Sequence, residues 1–216
     1  MISVICATRG RPEWCKRMWD SLRDTQKGPV EYLFWVDNDD PELSGYRDRD
    51  IPAMVGPPVG AIVADNILAA KANGHCFVMG DDAVMETEGW NEIFEEKANE
   101  YPDGVFVFGT DDGRGEPGHF CIGRGWRDAL GSILPGIFVH WHADTWTLAI
   151  AKKLGRYTEV PVVVPHYKGH LVGETDQTWM RLRANGLKER DAMVAKTCQR
   201  YQNLDYSILK RRIESE

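Results

Sequence analysis

Apolar positions in this chain form short β-branched runs that alternate with stretches of helical spacing. The opening run ISVICA, residues 2–7, has the pattern of a buried strand. TRGRP, residues 8–12, breaks it. Pro12 suits a first helical turn, and Trp14, Met18, Trp19 and Leu22 then recur at helical spacing. Residues 31–36 predict a second strand, which ends in the polar run Asp37-Asn-Asp-Asp-Pro41. A short strand at 53–55, a helix at 60–71 and a strand at 75–79 follow, the last closed by Gly80-Asp81-Asp82. Further helices are predicted at 89–99, 144–154 and 177–185, where Gly186 is the stop signal. Further strands are predicted at 104–108 and 160–165. His140 and His142 flank Trp141 in the alternation of a strand with one polar face. The glycine-rich stretch 109–125 reads as a mobile loop, and 111–127 as a lid that orders over a bound donor. From Lys188 onward the chain reads as helical and polar.

A β-loop-α-β start followed by further αβ units argues for an α/β fold, with a mainly parallel sheet and helices on both faces. Ligands of such sheets bind beyond the carboxyl ends of the strands. Three polar clusters follow strands: residues 8–11, residues 37–40 and Asp81-Asp82. They are therefore expected to meet in one crevice. The length, 216 residues, suits one domain over residues 1–187 with a helical tail over 188–216.

Composition narrows the function classes. Apolar residues are 43% and charged residues 27%, enough for a real core. The net charge of -7 lacks the basic footprint of a general nucleic-acid binder, and Lys210, Arg211 and Arg212 read as a solvated helix face. Five cysteines without a CxxC pair suggest free thiols, with Cys6 and Cys76 buried in strands. A reducing, cytoplasmic setting is therefore expected. The chain opens on a strand, so no signal peptide is expected, and no apolar run approaches the length of a membrane span. No protein partner is implied.

The sharpest chemical signal is Asp81-Asp82 at a strand end between apolar flanks. Carboxylate oxygens suit Mg²⁺ and Mn²⁺, and such an ion neutralises a departing diphosphate. The bland alternative is a polar turn. His166 follows the strand at 160–165 and imidazole also ligates Mn²⁺, with His170 as the fallback. Asp144 opens a helix, where the dipole favours its ionised form; it reads as either a base or a helix cap. Glu174 and Asp176 read as caps, with Asp176 the second choice of base. Most of the eight tryptophans read as core.

Four ordered segments carry a family resemblance: ISVICATRGRPEWCKRMWDSL, WVDNDDP, GAIVADNILAAKANGHCFVMGDDAVM and HADTWTLAIAKKLGRYTEVPVVVPH. Together they resemble the large inverting GT-A glycosyltransferase family over residues 2–166. GDD followed by Gly89-Trp90 and a late D-x-x-W resembles the short single-domain form often encoded by phages. The resemblance implies a Rossmann-like GT-A fold. It implies metal-dependent transfer with inversion from a nucleoside diphosphate sugar, a UDP-sugar by family frequency. The resemblance does not specify the acceptor, for which the expected candidates are a hydroxyl on a glycan or on a hydroxylated base in phage DNA. It also implies that Thr8, Arg9, Arg11, Asp37, Asp39, Asn66 and Asp81 hold the donor. Asp82 and His166 would ligate Mn²⁺ or Mg²⁺, and Asp144 would take the acceptor proton. Two departures stand out: Gly80 occupies the first of three usual acidic positions, and the later acidic pair is reduced to Ala143-Asp144. A nucleotidyltransferase is the first rival, but it usually needs a glycine-rich first loop and ATRGRPEW has one glycine. A non-catalytic nucleotide-sugar binding module is the second.

Overall fold

A computed structural model of the chain describes residues 1–112, 117–166, 180 and 184–215. Its strands are β1 (Ile2–Thr8), β2 (Glu31–Asp37), β3 (Ala53–Gly56), β4 (His75–Val78), β5 (Val107–Asp111), β6 (Pro117–Ile122) and β7 (Tyr157–Val163). They form one sheet in the order β3-β2-β1-β4-β6-β5-β7. β1 pairs parallel with both β2 and β4, and β5 pairs parallel with β7. β6 runs antiparallel to both of its neighbours. The expected mainly parallel α/β sheet is thus present, with β6 as its antiparallel insertion.

The described helices are α1 (Pro12–Thr25), α2 (Leu43–Arg47), α3 (Ala61–Lys71), α4 (Trp90–Ala98), α5 (Arg124–Leu130), α6 (Ala143–Leu154), α7 (Leu187–Thr197) and α8 (Gln199–Glu214). Successive side chains of β1 point to opposite faces. Ile2, Val4 and Cys6 join a core with Met18 and Leu22 of α1 and with Trp90 and Phe94 of α4. Ile5 joins the other core, with Leu68 of α3, Trp126 of α5, and Trp146 and Ile150 of α6. Leu209 of α8 is fully buried in that second core, which fastens the C-terminal helix to the sheet domain. Cys6, Cys15, Cys76 and Cys121 are buried free thiols. Among the described residues no helix is long and apolar enough to cross a membrane.

The glycine-rich stretch departs from the expectation of a mobile loop. It contains the end of β5, β6 and α5, with only residues 113–116 outside the description. Its glycines serve close packing. A Cβ on Gly125 would stand 1.9 Å from the Asp103 carbonyl oxygen, and one on Gly123 would stand 2.0 Å from that of Gly104. The described part of 111–127 is therefore packed strand and helix, which overturns the lid reading for those residues. β5 also begins three residues later than the pattern suggested. Residues 139–142 form bends instead of a strand, and His142 takes a left-handed backbone with φ 70° as the N-cap of α6. His170, Glu174, Asp176 and residues 177–179 and 181–183 of the expected helix lie outside the described residues.

Candidate functional site

β1 outruns its partner β4. Their pairing stops at Ile5 and Val78, whereas β1 continues beside β2 to Thr8. The sheet order also reverses between these two strands, since β2 and β3 lie on one side of β1 and every later strand lies beyond β4. A crevice at such a switch point is the usual ligand site of an open α/β sheet.

The three polar clusters meet there. Arg9 pairs with Asp37 at 2.9 Å and also with Asp39. The Trp35 indole N–H donates to Asp37 at 3.1 Å, which fixes that carboxylate from the other side. Asp40 accepts from the Gly10 N–H at 2.7 Å and from the Glu42 N–H at 2.8 Å. Arg11 grips Asp81 with two nitrogens, at 2.6 Å to Oδ1 and 3.1 Å to Oδ2.

A hydroxyl relay completes this link. Thr8 Oγ1 donates its one proton to Asp81 at 2.7 Å, so it accepts from the Tyr46 hydroxyl at 3.0 Å, which in turn accepts from the Arg11 N–H at 3.0 Å. Burial pushes the Asp81 carboxyl up to about 6; Arg11 and Thr8 pull it down, and neighbouring Asp82 pushes it further up.

The loop arginines are therefore matched to strand-end carboxylates. Asp37, Asp39, Asp40, Asp81 and Asp82 outnumber Arg9 and Arg11, so the crevice floor is net negative.

Asp82, His119 and His166 surround Gly80. A Cβ on Gly80 would stand 2.7 Å from Asp82 Oδ1, 3.4 Å from His119 Cε1 and 3.9 Å from His166 Nε2. The two imidazole rings are 4.3 Å apart, centroid to centroid. Gly80 thus explains the missing first carboxylate: a side chain there would collide with the Asp82 carboxylate. Carboxylate and imidazole are donor types that divalent transition ions accept. Among the described residues no group of three or more His, Cys, Asp or Glu side chains is placed so that it could hold a metal ion.

Asp144 sits in the exposed first turn of α6, where its carboxylate accepts from the Thr145 N–H at 2.7 Å. Its approach is set by Asp191 of α7, which is fully buried and accepts the N–H groups of Val139, His140 and Trp141 at 2.9–3.2 Å. The carbonyl of Val139 faces Gly60, the N-cap of α3, so this strap lies at the carboxyl edge of the sheet. Asn66 is bonded elsewhere. Its amide donates to the Leu134 carbonyl and accepts from the N–H groups of Ile133 and Leu134. It braces that loop.

Sequence reasoning did not single out four residues of this region: Asp40, Tyr46, Asp65 and His119. Asp40 had a signal, since Asp before Pro that bonds the N–H two residues on is an Asx turn. Tyr46, Asp65 and His119 had none, because each reaches the site only through tertiary packing.

Similarity to known proteins was found at the level of structure alone. No family profile and no curated protein sequence matches the chain. It is similar to S. aureus TarS residues 1–349 in complex with UDP, with TM-score 0.55 and 15% identity over 75% of this chain and 59% of that one. It is also similar to the mannosyltransferase PcManGT from Pyrobaculum calidifontis in complex with GDP-Man and Mn²⁺. There the TM-score is 0.57 and the identity 14%, over 75% of this chain and 56% of that one. The chain thus spans less than two thirds of the length of these two structures. The fold is that of the GT-A glycosyltransferases.

Proposed function

We propose that this protein transfers a sugar from a nucleoside diphosphate sugar to an acceptor hydroxyl, with inversion and with the help of Mn²⁺ or Mg²⁺. The observation that carries the reading is the convergence of the 8–11 loop, Asp37 to Asp40 and Asp81-Asp82 at the switch point of a GT-A sheet. The two similar structures hold UDP in one case and GDP-Man with Mn²⁺ in the other, which supports a nucleotide-sugar ligand here.

Arg11 is the donor's first contact. It releases Asp81 for a phosphate oxygen, and the guanidinium fork suits either partner. Thr8 and Arg9 line the same loop. Asp37 accepts from base or ribose, with Asp39 as the competing partner. Asp81, freed from Arg11, faces the ribose. Asp82 and His166 hold the divalent ion, which supplies charge neutralisation for the departing diphosphate. Asp144 takes the proton of the acceptor hydroxyl as its oxygen attacks the anomeric carbon. A UDP-sugar donor and a glycan acceptor make the working pair, since a net charge of -7 disfavours polyanionic DNA.

The test is a donor-hydrolysis screen of nucleotide-sugars, then mass spectrometry on trial acceptors that include glycans and hydroxymethylated DNA. Release of a nucleoside diphosphate supports sugar transfer, whereas release of pyrophosphate identifies a nucleotidyltransferase. Calorimetric titration of the donor in Mn²⁺ and in EDTA tests the ion; equal affinity in both refutes its role.

A further inference from the structure

α8 does not close completely on the helices beneath it. Between α8, α5, α6 and the loop 131–137 lies a cavity of about 190 Å³. A cavity of about 150 Å³ takes one benzene and drug-sized ligands need about 300 Å³ or more, so this one suits a single substituted six-membered ring. Its walls are held from behind. Asn66 fixes the loop through the backbone of Ile133 and Leu134, and the buried indoles of Trp126 and Trp146 back it from α5 and α6. The polar groups of the wall are left short of partners. Thr147 is 2% exposed and lines the cavity, yet its hydroxyl has no hydrogen-bond partner among the described residues. Asp205 enters from α8, half-buried. Its carboxylate accepts only from the Trp146 indole N–H, at a long 3.4 Å, and no cation pairs with it among the described residues. Burial raises this carboxyl, with the Trp146 hydrogen bond opposing. Buried polar groups are normally bonded, so what the cavity lacks is a donor for Asp205 and a partner for Thr147.

We propose that this cavity is a subsite for one neutral hexopyranose ring of the acceptor glycan. This rests on the reading that Asp144 takes the proton of a glycan hydroxyl. A pyranose supplies what is missing, since each of its hydroxyls both donates and accepts, while its C–H faces pack on apolar wall residues such as Ile137 and Ile150. The charge of the wall selects a neutral sugar. Its one charged side chain is the Asp205 carboxylate, and from Asp128 to Ala151 the chain has no Lys or Arg, so a phosphate or an acidic sugar would meet repulsion and no compensating cation. The place also fits. Thr147 stands three residues after Asp144 on α6, a spacing that sets side chains about 5–6 Å apart. The loop that forms the opposite wall runs on into the strap 139–142, which leads to Asp144. A ring seated in the cavity therefore lies beside the residue that activates the acceptor, and it holds the glycan while a neighbouring unit reacts.

The test uses the full chain and methyl glycosides of neutral hexopyranoses. Saturation-transfer NMR reads binding, and glycoside-dependent release of nucleoside diphosphate reads transfer. At least one glycoside should bind wild type. Thr147→Val removes an unbonded hydroxyl, so it should melt at or above the wild-type temperature and bind the glycoside roughly two- to tenfold more weakly. Asp205→Ala should weaken binding roughly tenfold or more, because hydrogen bonds to a charged group are the stronger ones. In both variants the affinity for the UDP-sugar should hold, and KM for the glycoside should rise while kcat holds. No glycoside bound by wild type overturns the subsite, as does undiminished glycoside binding in the folded variants. Binding of tetramethylammonium in place of glycosides overturns the sugar assignment. Should Asp205→Ala not fold, Thr147→Val alone decides. Failure to release nucleoside diphosphate from any donor refutes the proposed function, whereas donor turnover without glycoside binding overturns this subsite alone.

Discussion

Asp65 provides a stability test that is independent of catalysis. It lies on α3 behind the end of β1, 7% exposed, where its carboxylate accepts the Ala7 N–H beyond the last β1–β4 pair. Its other oxygen, Oδ1, is buried without a hydrogen-bond partner among the described residues. Burial pushes this carboxyl from 3.8 up to about 7, with the Ala7 hydrogen bond opposing. The native state therefore holds the proton more tightly than the unfolded chain. The stability this contributes is complete below about pH 4 and is lost as pH rises to about 7. A difference of about 3 units corresponds to about 4 kcal/mol, of which about 3 kcal/mol falls between pH 5 and pH 8.

Asp65→Asn keeps an acceptor for Ala7 and removes the ionisation. Urea unfolding of both chains at several pH values gives the difference in stability. That difference should move in favour of Asp65→Asn by about 3 kcal/mol from pH 5 to pH 8. Asp81, raised to about 6, and His75, lowered to about 4 by burial, also titrate, but both chains carry them and they cancel in the comparison. Parallel stability profiles across this range refute the account of Asp65 as a buried, proton-holding carboxyl.

Three further outcomes are expected. Asp144→Asn should melt like wild type and bind donor normally while turnover falls by roughly 10²–10⁴-fold; a rate within a few-fold of wild type places the base elsewhere. Asp191→Ala strands three part-buried backbone N–H groups and should cost about 1–3 kcal/mol by denaturant unfolding, with faster hydrogen exchange at residues 139–141; unchanged exchange contradicts its role as the strap's anchor. Gly125→Ala forces a methyl to 1.9 Å from the Asp103 oxygen and should destabilise by at least about 1–3 kcal/mol, whereas a truly mobile loop there would tolerate it.

Local pattern and chain order were enough to determine the parallel part of the sheet and the strand-end clusters. β1, β2 and β4 carry apolar runs bounded by breakers, and α1 between the first two shows a clear helical period. A strand that ends in polar residues puts them at the sheet's carboxyl edge whatever the details of packing, so Thr8, Asp37 and Asp81 were legible as one site. Tertiary structure alone decided the rest. Glycine is ambiguous in sequence, because it marks freedom in a loop and close approach in a packed hairpin. Only the neighbours of Gly123 and Gly125 show which applies, and with them the insertion of β6. The partners of a side chain are equally non-local. Arg9 and Arg11 read as free phosphate ligands but are matched to Asp37, Asp39 and Asp81, while Asn66 is spent on a loop 67 and 68 residues away. His119 reaches Gly80 through a strand that the linear pattern does not reveal. Burial and proximity between distant segments are properties of the packed chain, and no local window contains them.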